Sequence, residues 1–424
     1  MLLVKDIRDN KENLVKALSK RNVNALELLD QVIDLDDKRR KCILDLETLL
    51  AEGNQSAKAI GQLFKEGKGA EAKELQVKVK EGKEQVATLK EAVTVIEEEL
   101  TTVLYGIPNV PHDSVPVGNS EEDNVEVNSG GEIPVLAEGS VPHWDLLKEF
   151  DLVDFEVGVK ITGAGFPVYK GKGARLQRAL INFFLDEATN AGYMEVIPPL
   201  LINEASGYGT GQLPDKEGQM YHAQVDDLYL IPTAEVPVTN LYRDEIIPID
   251  KLPIKNVAYT PCFRREAGSY GKDVRGLNRL HQFDKIEIVQ VVHPKDSDKT
   301  LEEMKAHVES IIIKLGLPYR TLRLCAGDLG TAAALTYDFE VYSTAQEKWL
   351  EVSSVSSFQT YQSNRLKLRY REGKDKPQLA NTLNGSALAL PRIVACLLEN
   401  YQTPEGIKIP EVLVPYTGFS MIER

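Results

Sequence analysis

The densest set of reactive side chains lies between residues 256 and 292. This segment reads as a strand (NVAYTPCFRRE), a glycine-bearing loop (AGSYGKDVRGLN) and a second strand (RLHQFDKIEIVQVV). Side chains alternate across a strand, so Arg264 and Glu266 share one face, and Phe283, Lys285 and Glu287 share one face of the partner run. Charge in mid-strand is costly unless it is wet or lines a site. The segment is therefore either a solvated hairpin or the wall of a binding site. A shorter run, IPTAEVP (231–237), is expected to present Thr233 and Glu235 on one strand face. Other chemistries find little support. GFPVYKGKG (165–173) is one residue too long for a phosphate-binding loop and lacks the following Ser or Thr. The six histidines form no metal-spaced pair, and Cys262 has no second cysteine at zinc spacing, so no zinc is expected. Trp144 reads as a packing anchor.

The elements that must hold this face are legible in outline. Residues 173–191 have an amphipathic helical period ended by Gly192. Strand-like runs follow at 193–202, 225–231, 256–264, 281–292, 338–343 and 348–354. Consecutive β runs without regular intervening helices predict an antiparallel β-sheet in an α+β domain over 144–424. Upstream, Leu28, Val32, Leu35, Arg39, Cys42, Leu46 and Leu49 begin a seam spaced alternately by four and three. The seam resumes after KEGKGA as Leu75, Val79, Gly82, Val86, Leu89, Val93, Ile96 and Leu100. That is a coiled-coil signature, and the short break makes the two helices antiparallel neighbours within an N-terminal helical domain, 1–106. Residues 107–143, with five prolines among Asn, Gly and Asp, read as a linker.

The 424 residues carry 64 Asp+Glu against 50 Lys+Arg, a net charge of −14. As a whole-chain figure this speaks against a nucleic-acid partner. Resolved along the chain it does not, because residues 58–83 hold seven lysines against four glutamates. No apolar run reaches the ~18 residues of a membrane span, and the start MLLVKDIRDN lacks a signal peptide's apolar core. Four widely spaced cysteines exclude a disulfide framework and point to the cytoplasm.

Three strings connect these residues. FRREAGSYGKDVRG with HQF resembles motif 2 of the class II aminoacyl-tRNA synthetases, GYMEVIPPLL (192–201) resembles motif 1, and LNGSALALPR (383–392) resembles motif 3. YGTGQLP (208–214), IPTAEVP, HQFDKIE (281–287) and EVSS (351–354), with the N-terminal hairpin, are similar to the seryl-tRNA synthetase family over essentially the whole chain. The resemblance implies ATP-dependent ligation of L-serine to tRNA(Ser), and to tRNA(Sec) where present, through a seryl-adenylate. It further implies a sheet flanked by helices, Mg²⁺ with the ATP and a homodimer through motif 1, with no membrane partner.

Carried over residue by residue, the resemblance makes Arg264, Arg392 and Glu351 catalytic. Arg264 would bridge the α-phosphate and the serine carboxylate, its planar fork suiting both. The ATP site would comprise Arg264, Arg265, Glu266, Leu280, His281, Gln282, Phe283, Glu351, Val352, Ser353, Ser354 and Arg392, with adenine between Phe283 and Arg392. Glu351 and Ser354 would hold Mg²⁺. Serine would meet Thr233, Ala234, Glu235, Glu287, Asn384 and Ser386. Lys58, Lys65, Lys68, Lys73, Lys78, Lys80 and Lys83 on the hairpin, with Lys272 and Arg275 of the motif 2 loop, would meet tRNA. After EVSS the chain departs from the commoner family pattern at Val355, Ser357, Thr360 and Asn364, while Gln362 and Arg365 remain; this bears on the support of Glu351. A carrier-protein ligase would lack the long hairpin, an inactive paralogue would have lost motif arginines, and a prolyl or threonyl relative would lack GTGQLP.

Overall fold

The computed structural model describes residues 1–266 and 275–423. It divides into two compact units, Met1–Ser19 with Val23–Pro108, and Lys20–Asn22 with Asn109–Arg424. Among the described residues no helix is long and apolar enough to cross a membrane.

The first unit consists of α1 (Val4–Ser19), α2 (Ala25–Lys65) and α3 (Gly69–Gly106). The heptad hairpin is present, and α2 and α3 pack side by side. Its turn is only residues 66–68, half the expected break, because helix continues through Lys65 and restarts at Gly69. Leu29, Val32 and Leu35 of α2 and Leu100 and Leu104 of α3 are buried at the end of the hairpin away from its turn.

The second unit is organised by one eight-stranded sheet. Its strands are β1 (Val125–Gly130), β2 (Met194–Glu195), β3 (Ile254–Phe263), β4 (Gln282–Val292), β5 (Tyr319–Arg323), β6 (Leu335–Ser343), β7 (Lys348–Gln359) and β8 (Asn381–Ala389). They lie in the order β1-β5-β6-β7-β8-β4-β3-β2. Every pairing is antiparallel except the short edge pair β2–β3. The helices of this unit that matter below are α4 (His143–Glu149), α5 (Gly171–Asn190), α6 (Glu235–Asn240), α7 (Ser297–Lys314), α8 (Tyr361–Leu366) and α9 (Leu390–Asn400). Leu180 and Phe184 of α5, Met304 and Ile311 of α7, and Ile393 and Leu397 of α9 join Ile286, Ile288, Val352 and Val355 of the strands in one core. One face of the sheet is thereby sealed by helices, and the other is left for polar residues.

Three expectations need correction. Residues 107–143 are not a bare linker: Val125–Gly130 is the edge strand β1, paired with β5. Its valines stay exposed, so no burial pattern marked it. The run 193–202 is broken by Pro198 and Pro199, so only Met194–Glu195 joins the main sheet, and Leu201–Ile202 pairs elsewhere with Leu228–Leu230. Thr233 and Glu235 do not share a strand. Pro232 and Pro237 remove two ladder donors, and Glu235 instead opens α6.

The N-terminal unit contains a fully buried carboxylate, Asp36, which meets Arg8 Nη1 at 3.0 Å, Arg39 Nη2 at 2.8 Å and Arg40 Nε at 2.7 Å. Burial alone would raise its pKa, but Arg39 and Arg40 hold it below the ordinary carboxylate range. Because the folded value is depressed, this stabilisation is present above the ordinary range and is lost as pH falls through the folded value. Asp36→Ala should therefore destabilise the N-terminal unit by about 1–2 kcal/mol, since it removes charge-assisted hydrogen bonds to guanidiniums that stay in contact with water. Amide hydrogen exchange in α1 and α2 should speed up accordingly; unchanged protection would refute the assignment.

Candidate active site

Register decides which polar residues share the open face. Phe283, Lys285 and Glu287 stand opposite Cys262, Thr260 and Ala258 of β3. Across β4's other edge, Glu287 faces Ser386 and Val289 faces Asn384. Asn384 in turn faces Ser356 of β7, and Ser354 faces Asp338 of β6. Cross-strand partners share a face, so Phe283, Lys285, Glu287, Ser386, Asn384, Ser354 and Asp338 form one band across four strands.

Two irregularities complete it. Glu351 and Ser354 are three residues apart, and simple alternation would place them on opposite faces. A bulge in β7 sets Glu351 against Glu340 and Ser354 against Asp338, so both face the same way. Ser354 Oγ then donates to Glu351 Oε1 at 3.2 Å. A second register shift, in β8, lets Lys285 face Ala389 while Glu287 faces Ser386.

At one end of the band the charges are buried. Lys285 Nζ lies 2.7 Å from Glu287 Oε2 and donates to Thr233 Oγ1 at 2.8 Å. Glu235 Oε1 accepts from Gln362 Nε2 at 2.6 Å, and Gln362 Oε1 accepts from Thr382 Oγ1 at 2.7 Å. Burial pushes Glu235 up to about 7, and the Glu287 carboxylate pushes it the same way; Gln362, Lys285 and Arg264 oppose them. Such a group can switch between neutral and anionic near neutrality, and it favours the anion once a cation arrives.

At the other end the groups are arginines and half-exposed carboxylates. Arg264 Nε donates to Pro232 O at 3.3 Å, and its guanidinium lies 5.3 Å from the Phe283 ring centre. Arg392 Nε donates to Asn278 O at 3.1 Å and Nη1 to Glu351 O at 2.6 Å, with Glu351 Oε2 3.5 Å away. Arg265 Nε donates to Met220 O, and its guanidinium covers Tyr221, whose hydroxyl pairs with His281 Nδ1 at 2.7 Å. Glu266 is ion-paired with Arg279. Asp338 Oδ1 is buried with no hydrogen-bond partner. Burial and the Glu351 charge push Asp338 well above the ordinary carboxylate range.

The expected residues thus fall into three groups. Thr233, Glu235, Glu287, Asn384, Ser386, Arg264, Phe283, Glu351, Ser354 and Arg392 lie on or beside the band, and exposed Gln282 lies at its edge. Leu280, Val352 and Ala234 bury their side chains in apolar clusters, so only their backbone can face a ligand. Ser353 is buried and donates to Ser386 O at 2.5 Å. Arg275 has its guanidinium 5.5 Å from the Trp144 ring centre, so that tryptophan is a platform as well as an anchor. Lys272 lies outside the described residues. The seven hairpin lysines are all exposed, with Lys68 paired to Glu66 and Lys78 to Glu74. Lys285 and Gln362 received no role from sequence. Alternation had already placed Lys285 on the right face, whereas nothing in the periodicity singles out Gln362.

A mixed α+β unit with an arginine- and carboxylate-lined antiparallel sheet has the architecture of a class II aminoacyl-tRNA synthetase core. The model for the tRNA synthetase class II core domain (G, H, P, S and T) matches residues 220–401, and that for the seryl-tRNA synthetase N-terminal domain matches residues 1–111. The serine–tRNA ligase of Salinibacter ruber is 49% identical over 424 residues, covering 100% of this chain and 99% of that protein. Among solved structures, seryl-tRNA synthetase from Pyrococcus horikoshii complexed with ATP superposes with a TM-score of 0.92 at 34% identity, covering 100% of this chain and 99% of that one. Cytoplasmic serine–tRNA ligase from Naegleria fowleri in complex with AMP gives 0.87 at 28%, with the same coverage. The chain belongs to the seryl-tRNA synthetase family, and its reaction is the ATP-dependent ligation of serine to tRNA.

The Glu235 environment carries its own test. Gln362 donates to the charged form, so Gln362→Met should move the Glu235 titration upward from about 7. Infrared difference spectra of the carboxyl stretch, taken against Glu235→Gln, read this directly; a downward shift or none would contradict the geometry.

Proposed function

We propose that the polar band makes and holds seryl-adenylate, with serine at the Glu235–Lys285–Glu287 end and ATP along Arg264, Phe283, Glu351 and Arg392. The observation that carries this reading is the buried Lys285, held between Thr233 and Glu287 at the closed end of an otherwise open face. Glu235 pairs with the substrate ammonium, and Glu287 with Ser386 takes its hydroxyl. A site built around that hydroxyl can reject alanine by about 10⁴-fold, because alanine leaves buried acceptors unpaired. The serine carboxylate attacks the α-phosphorus, the bond to the bridging oxygen breaks, and pyrophosphate leaves with the electron pair. No side-chain nucleophile is needed. Arg264 aligns the two oxygen groups, and Phe283 and Arg392 hold the purine and the outer phosphates. The adenylate then acylates the terminal adenosine of tRNA(Ser), or of tRNA(Sec).

The residues also fit Mg²⁺. The half-exposed Glu351 carboxylate, Ser354 Oγ and the orphaned Asp338 oxygen offer hard oxygen donors. Glu351 and Ser354 would hold the ion, and bound there it would neutralise phosphate charge.

The exposed lysines of the hairpin suit the backbone of tRNA, and Arg275 with Lys272 suits its acceptor end. Exposed Met194, Ile197, Leu200 and Leu201 along the motif 1 segment are the apolar surface through which a homodimer would form. The compartment is the cytoplasm. Residues 1–106 serve the tRNA, and 144–424 the chemistry.

Two experiments test the division. Glu287→Ala should lower serine-dependent ATP–pyrophosphate exchange by at least about a hundredfold while ATP binding persists; persisting exchange would overturn the serine assignment. Replacing Lys73, Lys78 and Lys80 together by Gln should weaken tRNA charging and flatten its salt dependence by about three units of slope at most, leaving exchange intact. A charging rate indifferent to both salt and these lysines would remove the hairpin from tRNA recognition.

A further inference from the structure

One buried ionisable cluster has no part in the chemistry above. His143, the first residue of α4, and Glu399, near the end of α9, are both fully buried, with Nδ1 and Oε1 2.7 Å apart. Glu399 also accepts from the His143 backbone N–H at 2.9 Å, from Gln346 Nε2 at 2.9 Å and from Ser343 Oγ. A carboxyl surrounded by donors is a carboxylate. On the far side of the ring, His143 Nε2 lies 2.9 Å from the backbone nitrogen of Leu277. A backbone N–H can only donate, so Nε2 carries no proton and the Nδ1–H points at Glu399. The imidazole is neutral and its tautomer is fixed.

Leu277 lies five residues before β4 begins at Gln282. Asn278, the next residue, gives its carbonyl to Arg392 Nε at 3.1 Å and its side-chain amide to Gln346 Oε1 at 2.9 Å. A closed circuit therefore runs from Glu399 through His143 to Leu277 and Asn278, and back through Gln346, with Arg392 hung from it. The fit is tight: a Cβ at Gly276, whose φ is +60°, would stand 2.3 Å from His143 Nε2.

We propose that His143 is a positioning residue for the adenylate site: by accepting the Leu277 N–H, it fixes the Asn278 carbonyl that aims Arg392. This rests on the ATP-binding reading of Arg392 given above. Holding a binding arginine to its place affects the ligand it touches and not the opposite end of the site. The deficit should therefore appear in ATP and spare serine.

Asparagine and glutamine separate the two halves of the ring. Glutamine can place an amide oxygen where Nε2 accepts, while asparagine keeps only a donor near Nδ1. In serine-dependent ATP–pyrophosphate exchange with the full-length protein, His143→Asn should raise the KM for ATP by about tenfold while the KM for serine stays within about twofold. His143→Gln should restore the ATP value to within about threefold of the unaltered protein. Gly276→Ala presses on the same contact from the loop side and should reproduce the selective ATP defect; it decides the matter if neither His143 variant folds. An unmoved KM for ATP in His143→Asn, equal defects for both substrates, or a glutamine variant as impaired as asparagine would each overturn the proposal. Absence of serine-dependent exchange in the unaltered protein would instead count against the adenylate reading.

Discussion

Lys285 is the charge on which the open face of the sheet depends. Two glutamates, Glu235 and Glu287, are buried on that face, and an unpaired buried carboxylate is driven to take up a proton or to unfold its surroundings. The Lys285 ammonium offsets Glu287 directly, and its field with that of Arg264 restrains the rise of Glu235. Burial, and after it the Glu287 charge, still raise Glu235 to about 7. Under the serine-binding reading proposed above, a substrate ammonium would offset this excess negative charge, so that amino-acid specificity and tolerance of the buried glutamates would share one electrostatic cause. The sheet can carry this strain because its other face is sealed into one continuous apolar core with α5, α7 and α9.

Bulges do the finer positioning. Strict alternation gives each strand only every second residue for chemistry, which spaces side chains by about 7 Å. The site needs Glu351 and Ser354 on one side, and Glu287 opposite Ser386 while Lys285 keeps its place. One extra residue in β7 and one in β8 supply both adjustments without disturbing the flanking ladders. The same strands that pack the core with Val352 and Leu388 therefore also aim the polar groups.

Much of this was legible from residue order. The heptad spacing located α2 and α3, the helical period located α5, and alternation placed Phe283, Lys285 and Glu287 on one face because β4 is regular against β3. β3 ends at Phe263, so Arg264 and Glu266 do not share the expected strand face. What escaped had physical reasons. β1 is a sheet-edge strand whose side chains stay wet, so it carries no burial pattern. The prolines around Thr233 convert an apparent strand into the start of a helix. Co-facing of Glu351 and Ser354 depends on a bulge, which is a property of pairing with β6 and is invisible in β7 alone. Gln362 reaches Glu235 from α8, across 127 residues of chain, and no local pattern encodes that.

The departures from the commoner family pattern after EVSS can now be placed by face. Val355 and Ser357 have the opposite parity to Ser354 and Ser356, and they point away from the polar band. Val355 is fully buried in the main core and stands over Gly385, where a Cβ would meet its methyl at 2.9 Å. A branched side chain on β7 and a glycine on β8 thus divide one packing space between them. Ser357 is buried beside Ser297, with the two hydroxyl oxygens 3.3 Å apart, at the start of α7. Thr360 caps α8, its carbonyl taking the Asn364 backbone N–H at 2.9 Å and the Ser363 hydroxyl at 3.1 Å. These positions set how β7 and α8 pack rather than what the site touches. Gln362, retained within the altered run, links that packing to Glu235 through its side-chain amide. The chain can therefore vary its core here and keep its chemistry, provided α8 still delivers that one amide.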